Sequence, residues 1–159
     1  MRKSLRNCLI AATAASSLLL APFAVSHFND KEVQQSYRQS WFALVALNFG
    51  PMASTVKEEI PWNDEMMQGW AKYLSTLTTL NIMRGFGDCS DKGTTRAKPE
   101  IWQNKADFES KMGDLKTAVA SLQTAVDGGD RKAIAGEVGE VGKACKACHD
   151  DYKSKDYLY

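Results

Sequence analysis

The chain has 159 residues, of which 20 are lysine or arginine and 19 are aspartate or glutamate, so its formal net charge is +1. This balance, at 25% charged residues, excludes a nucleic-acid-binding protein defined by gross basic charge, and it excludes a long acidic or basic tail. A hydrophobic fraction of 44% at this length fits one globular domain. Four cysteines are too few to define a disulfide framework by number, so their spacing must indicate their role.

The first 26 residues have the three parts of an export signal. Three basic residues among the first six precede an apolar run, and a small-x-small pattern ends at Ser26. The run is interrupted by polar residues and a proline, and it is short for the alternative, a membrane anchor. We predict a cleaved signal peptide over 1–26, a mature domain over 27–159, a periplasmic location and no membrane span after cleavage; cleavage after Ala24 is an alternative.

Cleavage would change both the charge and the cysteine count. The segment 1–26 contains three basic residues and no acidic ones, so the mature chain would carry 17 basic and 19 acidic residues, a net charge of −2. It would also lose Cys8 and keep Cys89, Cys145 and Cys148.

Four segments have apolar residues in steps of three and four, the period of an amphipathic helix. The stripes are Val33, Tyr37, Ser40, Leu44 and Leu47; Met66, Trp70, Tyr73, Leu77 and Leu80; Phe108, Met112, Leu115, Val119, Leu122 and Val126; and Ile134, Val138, Val141, Cys145, Cys148 and Tyr152. The longest connection is 85–99, and 127–130 is a tight break rich in glycine and aspartate. Together they predict an all-α fold, an antiparallel four-helix bundle.

The first helix carries a second apolar set, Trp41, Phe42, Val45 and Phe49. A helix that is apolar on two faces must bury both. We therefore expect one face to pack in the bundle and the other to meet a ligand or a second subunit.

Residues 145–149 read CKACH, the CxxCH pattern of covalent haem attachment. On a helix, Cys145 and Cys148 lie on one side, so both sulfurs can bond to one porphyrin, and His149 points at the iron from that side. A redox CxxC would be expected near a strand–helix unit, and a zinc site would need a fourth ligand although His27 is the only other histidine of the mature chain. We predict one covalent haem c near the C-terminus of the bundle, with His149 as the axial ligand of the iron.

Three segments resemble the cytochromes c′, the class II c-type cytochromes. They are CKACHDDYKSK at 145–155, the motifs at 37–40 and 48–52 in the first helix, and KPEIW at 98–102. The resemblance covers roughly 30–155. It implies a haem iron bound by His149 on one face, with the opposite, distal face empty and apolar.

The resemblance also carries over other site residues. It places Phe42 against the distal face and makes Phe86 a candidate for the distal pocket, while Arg38 and Gln39 lie near the haem propionates and Lys153 lies on the proximal side. For Arg38 and Gln39 the alternative is an exposed helix face. Cys89 has no partner if the other two cysteines hold haem, so a free thiol, an intermolecular disulfide and a residue without a role all stay open.

By this resemblance we expect a periplasmic haem protein, and not an enzyme, that binds NO, with CO as a second gas ligand, or exchanges electrons with an unidentified periplasmic redox partner. Phenylalanine cannot ligate iron, so Phe42 favours a five-coordinate haem. The runner-up is a six-coordinate, low-spin electron carrier whose extra ligand is a methionine. The methionines of the mature chain are Met52, Met66, Met67, Met83 and Met112. A haem enzyme, a peroxidase or an NO-converting protein, is disfavoured because no polar distal group is evident.

The resemblance and the two-faced first helix both predict a homodimer. The expected interface is the face with Trp41, Phe42, Val45 and Phe49, together with Trp62 and Met67 from the start of the second helix. The haem competes for the same face.

Overall fold

The computed structural model describes residues 30–158, and the predicted signal peptide over 1–26 lies outside this range. The helices are α1 (Asp30–Val56), α2 (Asp64–Thr79), α3 (Glu100–Gln103), α4 (Lys105–Gly128) and α5 (Arg131–Tyr152), with a 3-10 helix at Ile82–Phe86 between α2 and α3. The four long helices, α1, α2, α4 and α5, form a four-helix bundle, which confirms the predicted all-α class. Over residues 30–158, no helix combines the length and the apolar character that a membrane crossing requires.

The helix ends follow local chemistry. The side chain of Asn63 accepts a hydrogen bond from the amide of Met66 and caps α2, and Asp130 caps α5 by accepting from the amide of Lys132, both at 2.9 Å. Gly129 ends α4 in the left-handed conformation, at φ 73°, which glycine adopts without a steric penalty. Gly129 and Asp130 together make a tight antiparallel connection between α4 and α5.

The interior faces of α4 and α5 are those predicted by their apolar period. The residues buried there are Phe108, Leu115, Val119, Leu122 and Val126 from α4, and Ile134, Val138, Val141 and Tyr152 from α5. The pair α4–α5 has the most extensive contact in the bundle, whereas α1 and α5 touch over a short stretch. Because α1 and α5 touch only over this short stretch, space is left between them, and the candidate site lies in that space.

The predicted interior stripe of α1 was wrong. Val33, Leu44 and Leu47 are 49%, 45% and 67% exposed, and the buried residues of this helix are Arg38, Trp41, Val45, Asn48, Met52 and Thr55. On α2 the interior is formed by Met67, Ala71, Leu74 and Leu77, so of the predicted stripe Met66, Tyr73 and Leu80 are exposed. Both helices are apolar on two faces, and periodicity alone cannot decide which face turns inward.

This correction also applies to the predicted dimer face. Trp41, Val45 and Met67 are buried within their own chain, so they are not available to a second subunit. The apolar surface that α1 and α2 leave exposed is the opposite one.

Candidate functional site

A cavity of about 760 Å³ lies between α1 and α5, with one wall from α4 and another from residues 95–97. All eight residues that the sequence analysis assigned to the haem line this cavity: Arg38, Gln39, Phe42, Phe86, Cys145, Cys148, His149 and Lys153. Apolar side chains complete its walls, among them Val45, Phe49, Ile101, Phe108, Met112 and Leu115. Four segments that are far apart in the sequence thus contribute to one pocket.

The two thiols lie side by side on α5. Cys145 and Cys148 are separated by one helical turn, both are half-buried, and both are free thiols on the cavity wall. Burial raises the pKa of Cys145, and burial raises the pKa of Cys148 to about 11 even though the nearby charge of Lys111 lowers it. Both sulfurs are therefore protonated at neutral pH and face a common space.

His149 follows the thiols on the last turn of α5 and also lines the cavity. Desolvation lowers the pKa of its imidazole, and the positive charges of Lys153 and Arg96 lower it further. The neutral imidazole is the form that binds a metal, so the site favours a histidine ready to ligate iron.

The wall opposite α5 is apolar along α1. From Phe42 onward, the side chains that α1 contributes to the cavity are Phe42, Ala43, Val45, Ala46 and Phe49. Phe42 meets Trp41 edge to face, with 5.0 Å between ring centroids, and the indole of Trp41 donates a hydrogen bond of 2.9 Å to the carbonyl oxygen of Leu77. This contact anchors α1 to α2 behind the wall and fixes the position of Phe42.

Arg38 is a buried cation, 2% exposed, at the start of this wall. Its Nη1 donates to the carbonyl of Gly85 at 2.9 Å and to the hydroxyl of Ser90 at 3.3 Å, and its Nη2 donates to the hydroxyl of Thr95 at 3.5 Å. Burial lowers its pKa, and the negative charge of Asp91 raises it. All three acceptors are neutral, so none of them forms an ion pair with the positively charged guanidinium beside the cavity.

The Nε of Arg38 is buried and has no hydrogen-bond partner in the part of the chain that the structure describes. A buried donor without an acceptor costs free energy, about 1–3 kcal/mol. A carboxylate in the cavity would supply the missing acceptor and a charge partner, as a guanidinium prefers.

Gly85 lets the loop approach α1 at this point. A Cβ on Gly85 would lie 2.9 Å from the Cβ of Arg38 and 3.1 Å from the ring of Tyr37. A larger residue there would push the loop away and break the hydrogen bond from Arg38 to the carbonyl of Gly85.

Gln39 and Phe86 lie on the same side of the cavity as Arg38. Gln39 is exposed, and its side-chain amide donates a hydrogen bond of 2.9 Å to the carbonyl oxygen of Thr94. This hydrogen bond connects α1 to the long loop. Phe86 is buried between Trp102 and Phe108, with ring centroids 5.8 and 4.7 Å away. These ring contacts fix the position of Phe86 next to Arg38, and Phe86 also lines the cavity.

Sequence reasoning missed four polar lining residues: Thr95, Arg96, Lys111 and Tyr157. Thr95 and Arg96 lie in the long loop, where no periodic pattern exists to identify them. Lys111 is next to Met112 on the α4 stripe, and its ammonium lies 3.1 Å from a carboxylate oxygen of Asp151. In the sequence, the one indication of Lys111 as a lining residue is that a charged residue stands next to a position of the apolar stripe.

This donor set fits a covalently attached haem. The cavity volume is within the range of about 300–1,000 Å³ usual for small-molecule sites. Two thiols and an imidazole lie on one wall, the facing wall is apolar, and a buried cation with a spare donor lies at the end where a carboxylate could bind. Over residues 30–158 there is no cluster of three His, Cys, Asp or Glu side chains suited to a bare metal ion.

A four-helix bundle whose last helix presents CxxCH to an apolar cavity is the architecture of a c-type haem protein. Comparison with known proteins agrees with this class. The family profile described as "Cytochrome C'" matches residues 33–153. Cytochrome c′ of Cereibacter sphaeroides is 35% identical over 158 residues, covering 98% of this chain and 99% of that protein.

Solved structures show the same likeness. Cytochrome c prime from Shewanella frigidimarina superimposes with a TM-score of 0.76 at 36% identity, covering 81% of this chain and all of the other. The nitric oxide complex of a mutant of cytochrome c prime from Alcaligenes xylosoxidans superimposes with a TM-score of 0.73 at 35% identity, covering 82% of this chain and all of the other. The chain belongs to the cytochrome c′ family, and its cofactor is a covalently attached c-type haem.

Proposed function

We propose that the protein is a periplasmic, five-coordinate haem protein that binds NO, and also CO, and that exchanges electrons with a periplasmic redox partner. The observation that carries this proposal is the apolar wall of α1 around Phe42, which lines the same cavity as the thiols and the imidazole of α5. Phenylalanine offers no ligand to iron, so this wall would leave the sixth coordination position open.

Each residue of the site has a defined task in this proposal. Cys145 and Cys148 hold the haem through thioether bonds, and His149 binds the iron as a neutral imidazole. Arg38 offers its unpartnered Nε to a propionate, while Gln39 holds the adjacent loop. Lys153 lies one turn beyond His149 on the proximal side. The haem supplies the redox and ligand-binding chemistry, and the chain controls ligation, burial and access.

The character of the α1 wall determines which ligands the iron would take. Bound O₂ and peroxide depend on polar distal groups, whereas NO needs little polar help. From Phe42 to Phe49, α1 contributes only apolar side chains to the cavity, which favours NO and CO and disfavours peroxidase or NO-converting catalysis. The nitric oxide complex of the Alcaligenes relative supports the choice of NO.

One observation favours a second candidate, the six-coordinate, low-spin electron carrier. Met112 lines the cavity from α4, unlike Met52, Met66, Met67 and Met83. A thioether there is a possible sixth ligand, although methionine is also a common filler of irregular cores. The two candidates differ in the spin state of the iron.

The absorption spectrum of the purified holoprotein tests the proposal. We expect a high-spin ferric spectrum with a broad Soret band, a clear change when NO is added to the ferrous protein, and no change when Met112 is replaced by leucine. A sharp low-spin spectrum that becomes high-spin in Met112→Leu would establish the alternative. Turnover of peroxide well above that of free haem would show an enzyme instead.

A homodimer is part of the same proposal, on the corrected face. The exposed large apolar side chains of α1 and α2 form a set that we name the α1–α2 outer face. It comprises Val33, Leu44 and Leu47 of α1, Met66 and Tyr73 of α2, and Leu80 directly after α2. A surface of this kind favours association, and two copies of one face can pack about a two-fold axis. The second copy of this chain is the proposed occupant.

The periplasmic location rests on the predicted signal peptide. The mass of the protein recovered from the periplasmic fraction tests this directly, and we expect a mature chain that begins at His27.

A further inference from the structure

The C-terminal residues beyond α5 form an ordered part of the cavity wall. The family profile ends at Lys153, and the structure describes a further five residues to Leu158. They run antiparallel to residues 95–97, with a bridge between Ala97 and Lys153. We name residues 154–158 the C-terminal strap.

The strap is fixed by backbone hydrogen bonds along its length. The amide of Ser154 donates to the carbonyl of Arg96 at 2.8 Å, and the amide of Leu158 donates to the carbonyl of Thr95 at 3.0 Å. The guanidinium of Arg96 donates from Nε to the carbonyl of Ser154 at 2.9 Å and from Nη2 to the carbonyl of Lys155. Because both ends are bonded to the segment that carries Thr95 and Arg96, the strap is held against a wall of the cavity.

Tyr157 is the residue of the strap that lines the cavity, beside Thr95, Arg96 and Lys153. The protein alone leaves this residue 65% exposed. A large ring on an apolar cavity wall becomes buried when the cavity is filled, and burial of apolar area is favourable. The chain thus carries a largely exposed aromatic ring on the cavity wall.

We propose that the C-terminal strap covers the mouth of the haem crevice on the Lys153 side, and that the ring of Tyr157 contacts the haem there and keeps water from it. This inference rests on the proposed position of the haem. The ferric form carries one more positive charge than the ferrous form, so water at the haem stabilises the ferric form and lowers the reduction potential. Tyr157 is a positioning residue that tunes the potential, and it takes no part in ligation.

The experiment compares midpoint potentials of holoproteins by spectroelectrochemical titration. We expect Tyr157→Ala to lower the potential and a chain ending at Lys153 to lower it at least as much. Tyr157→Phe keeps the ring and should match the wild type, and so should Leu158→Ala, which removes an apolar side chain of the strap that does not line the cavity. Tyr157→Ala changes no charge and leaves the backbone hydrogen bonds in place, so it decides the matter if the shortened chain does not fold.

Hydrogen exchange gives a second readout that does not depend on the potential. The amides of Ser154 and Leu158 should be protected in the wild type and in Tyr157→Ala. An unchanged potential in Tyr157→Ala, or unprotected strap amides in the wild type, would overturn the inference. An unchanged potential in a protein with a normal pyridine haemochrome would overturn this inference alone, whereas a protein without covalent haem would overturn it together with the proposed function.

Discussion

The guanidinium of Arg38 lies over the ring of Phe86, with its carbon 5.3 Å from the ring centroid. The same carbon is 5.4 Å from the centroid of the Trp102 ring, so the cation lies against two neighbouring aromatic rings. Its described hydrogen bonds go to neutral oxygens and leave Nε unpartnered. A buried positive charge is thus preorganised at one end of an apolar cavity.

Arg38→Lys should fail to replace this arginine. A lysine carries its three donors on one nitrogen and cannot reach acceptors that lie around separate nitrogens of the guanidinium. We expect the free energy of unfolding to fall by about 1–3 kcal/mol, the cost of leaving buried acceptors unpaired. Urea unfolding of the holoprotein measures it, with Ser40→Ala as the control, because Ser40 is exposed on the same helix and does not line the cavity. Wild-type stability in Arg38→Lys would contradict this account.

Covalent haem should depend on the two cavity thiols and not on the third. The double variant Cys145→Ser, Cys148→Ser should contain no haem that resists acid–acetone extraction, while each single variant should keep one thioether bond. Cys89→Ser is the matched control, because Cys89 is exposed and does not line the cavity. A loss of covalent haem in Cys89→Ser would show that the assignment is wrong.

Access to the iron should be limited by the ring of Phe42. Phe42→Ala removes the side chain that closes the apolar wall, so we expect CO to bind at least about tenfold faster, a change of about 1.4 kcal/mol in the barrier. Flash photolysis of the ferrous CO complex measures the rate. Phe49→Ala serves as the control, because it removes an equal ring from the same wall two turns further on. Equal acceleration in both variants would argue against a specific role for Phe42.

Tyr152 gives the fold a dependence on alkaline pH. Its hydroxyl donates a hydrogen bond of 2.5 Å to a carboxylate oxygen of Asp107, which raises the pKa of Tyr152 to about 12. The folded pKa lies above the ordinary value near 10, so the contribution to stability is fully present below about pH 10 and is lost as the pH rises through 12.

The variant Tyr152→Phe should therefore be less stable than the wild type at pH 8, by about 0.5 kcal/mol because the Asp107 partner is exposed. The difference should shrink between pH 10 and 12, as followed by urea unfolding at each pH. A difference between Tyr152→Phe and the wild type that is constant with pH would contradict the proposed bond.

The oligomeric state should depend on the α1–α2 outer face. Leu47→Glu places a charge at its most exposed position, which is 67% accessible, and should convert the dimer to a monomer. Sedimentation equilibrium at concentrations of about tens of micromolar detects dimers of moderate affinity. Leu158→Glu adds the same charge at the C-terminus and should leave the dimer intact. A wild-type protein that is monomeric at these concentrations would remove the proposal.

Local patterns were sufficient for the helices that have one apolar face. The stripes of α4 and α5 matched the buried residues because their opposite faces are polar, and the caps at Asn63 and Asp130 follow from side chains that bond to the nearest free amides. The predicted third helix begins with a separate turn, α3, because the chain breaks at Asn104 before α4 starts. Patterns on α1 and α2 misled because two competing stripes exist on each helix.

The sequence by itself determined the number of long helices, the CxxCH motif on the last of them and, through the resemblance, the residues that gather around one cavity. Periodicity and spacing are local properties, and they are sufficient for features within one helix. The tertiary structure alone decided which face of α1 is buried, that the Nε of Arg38 lacks a partner, and that Tyr157 lies on the cavity wall. Each of these depends on contacts between residues far apart in the sequence, from 36 positions for Trp41 and Leu77 to 58 for Arg96 and Ser154, and only packing of the whole chain brings such residues together.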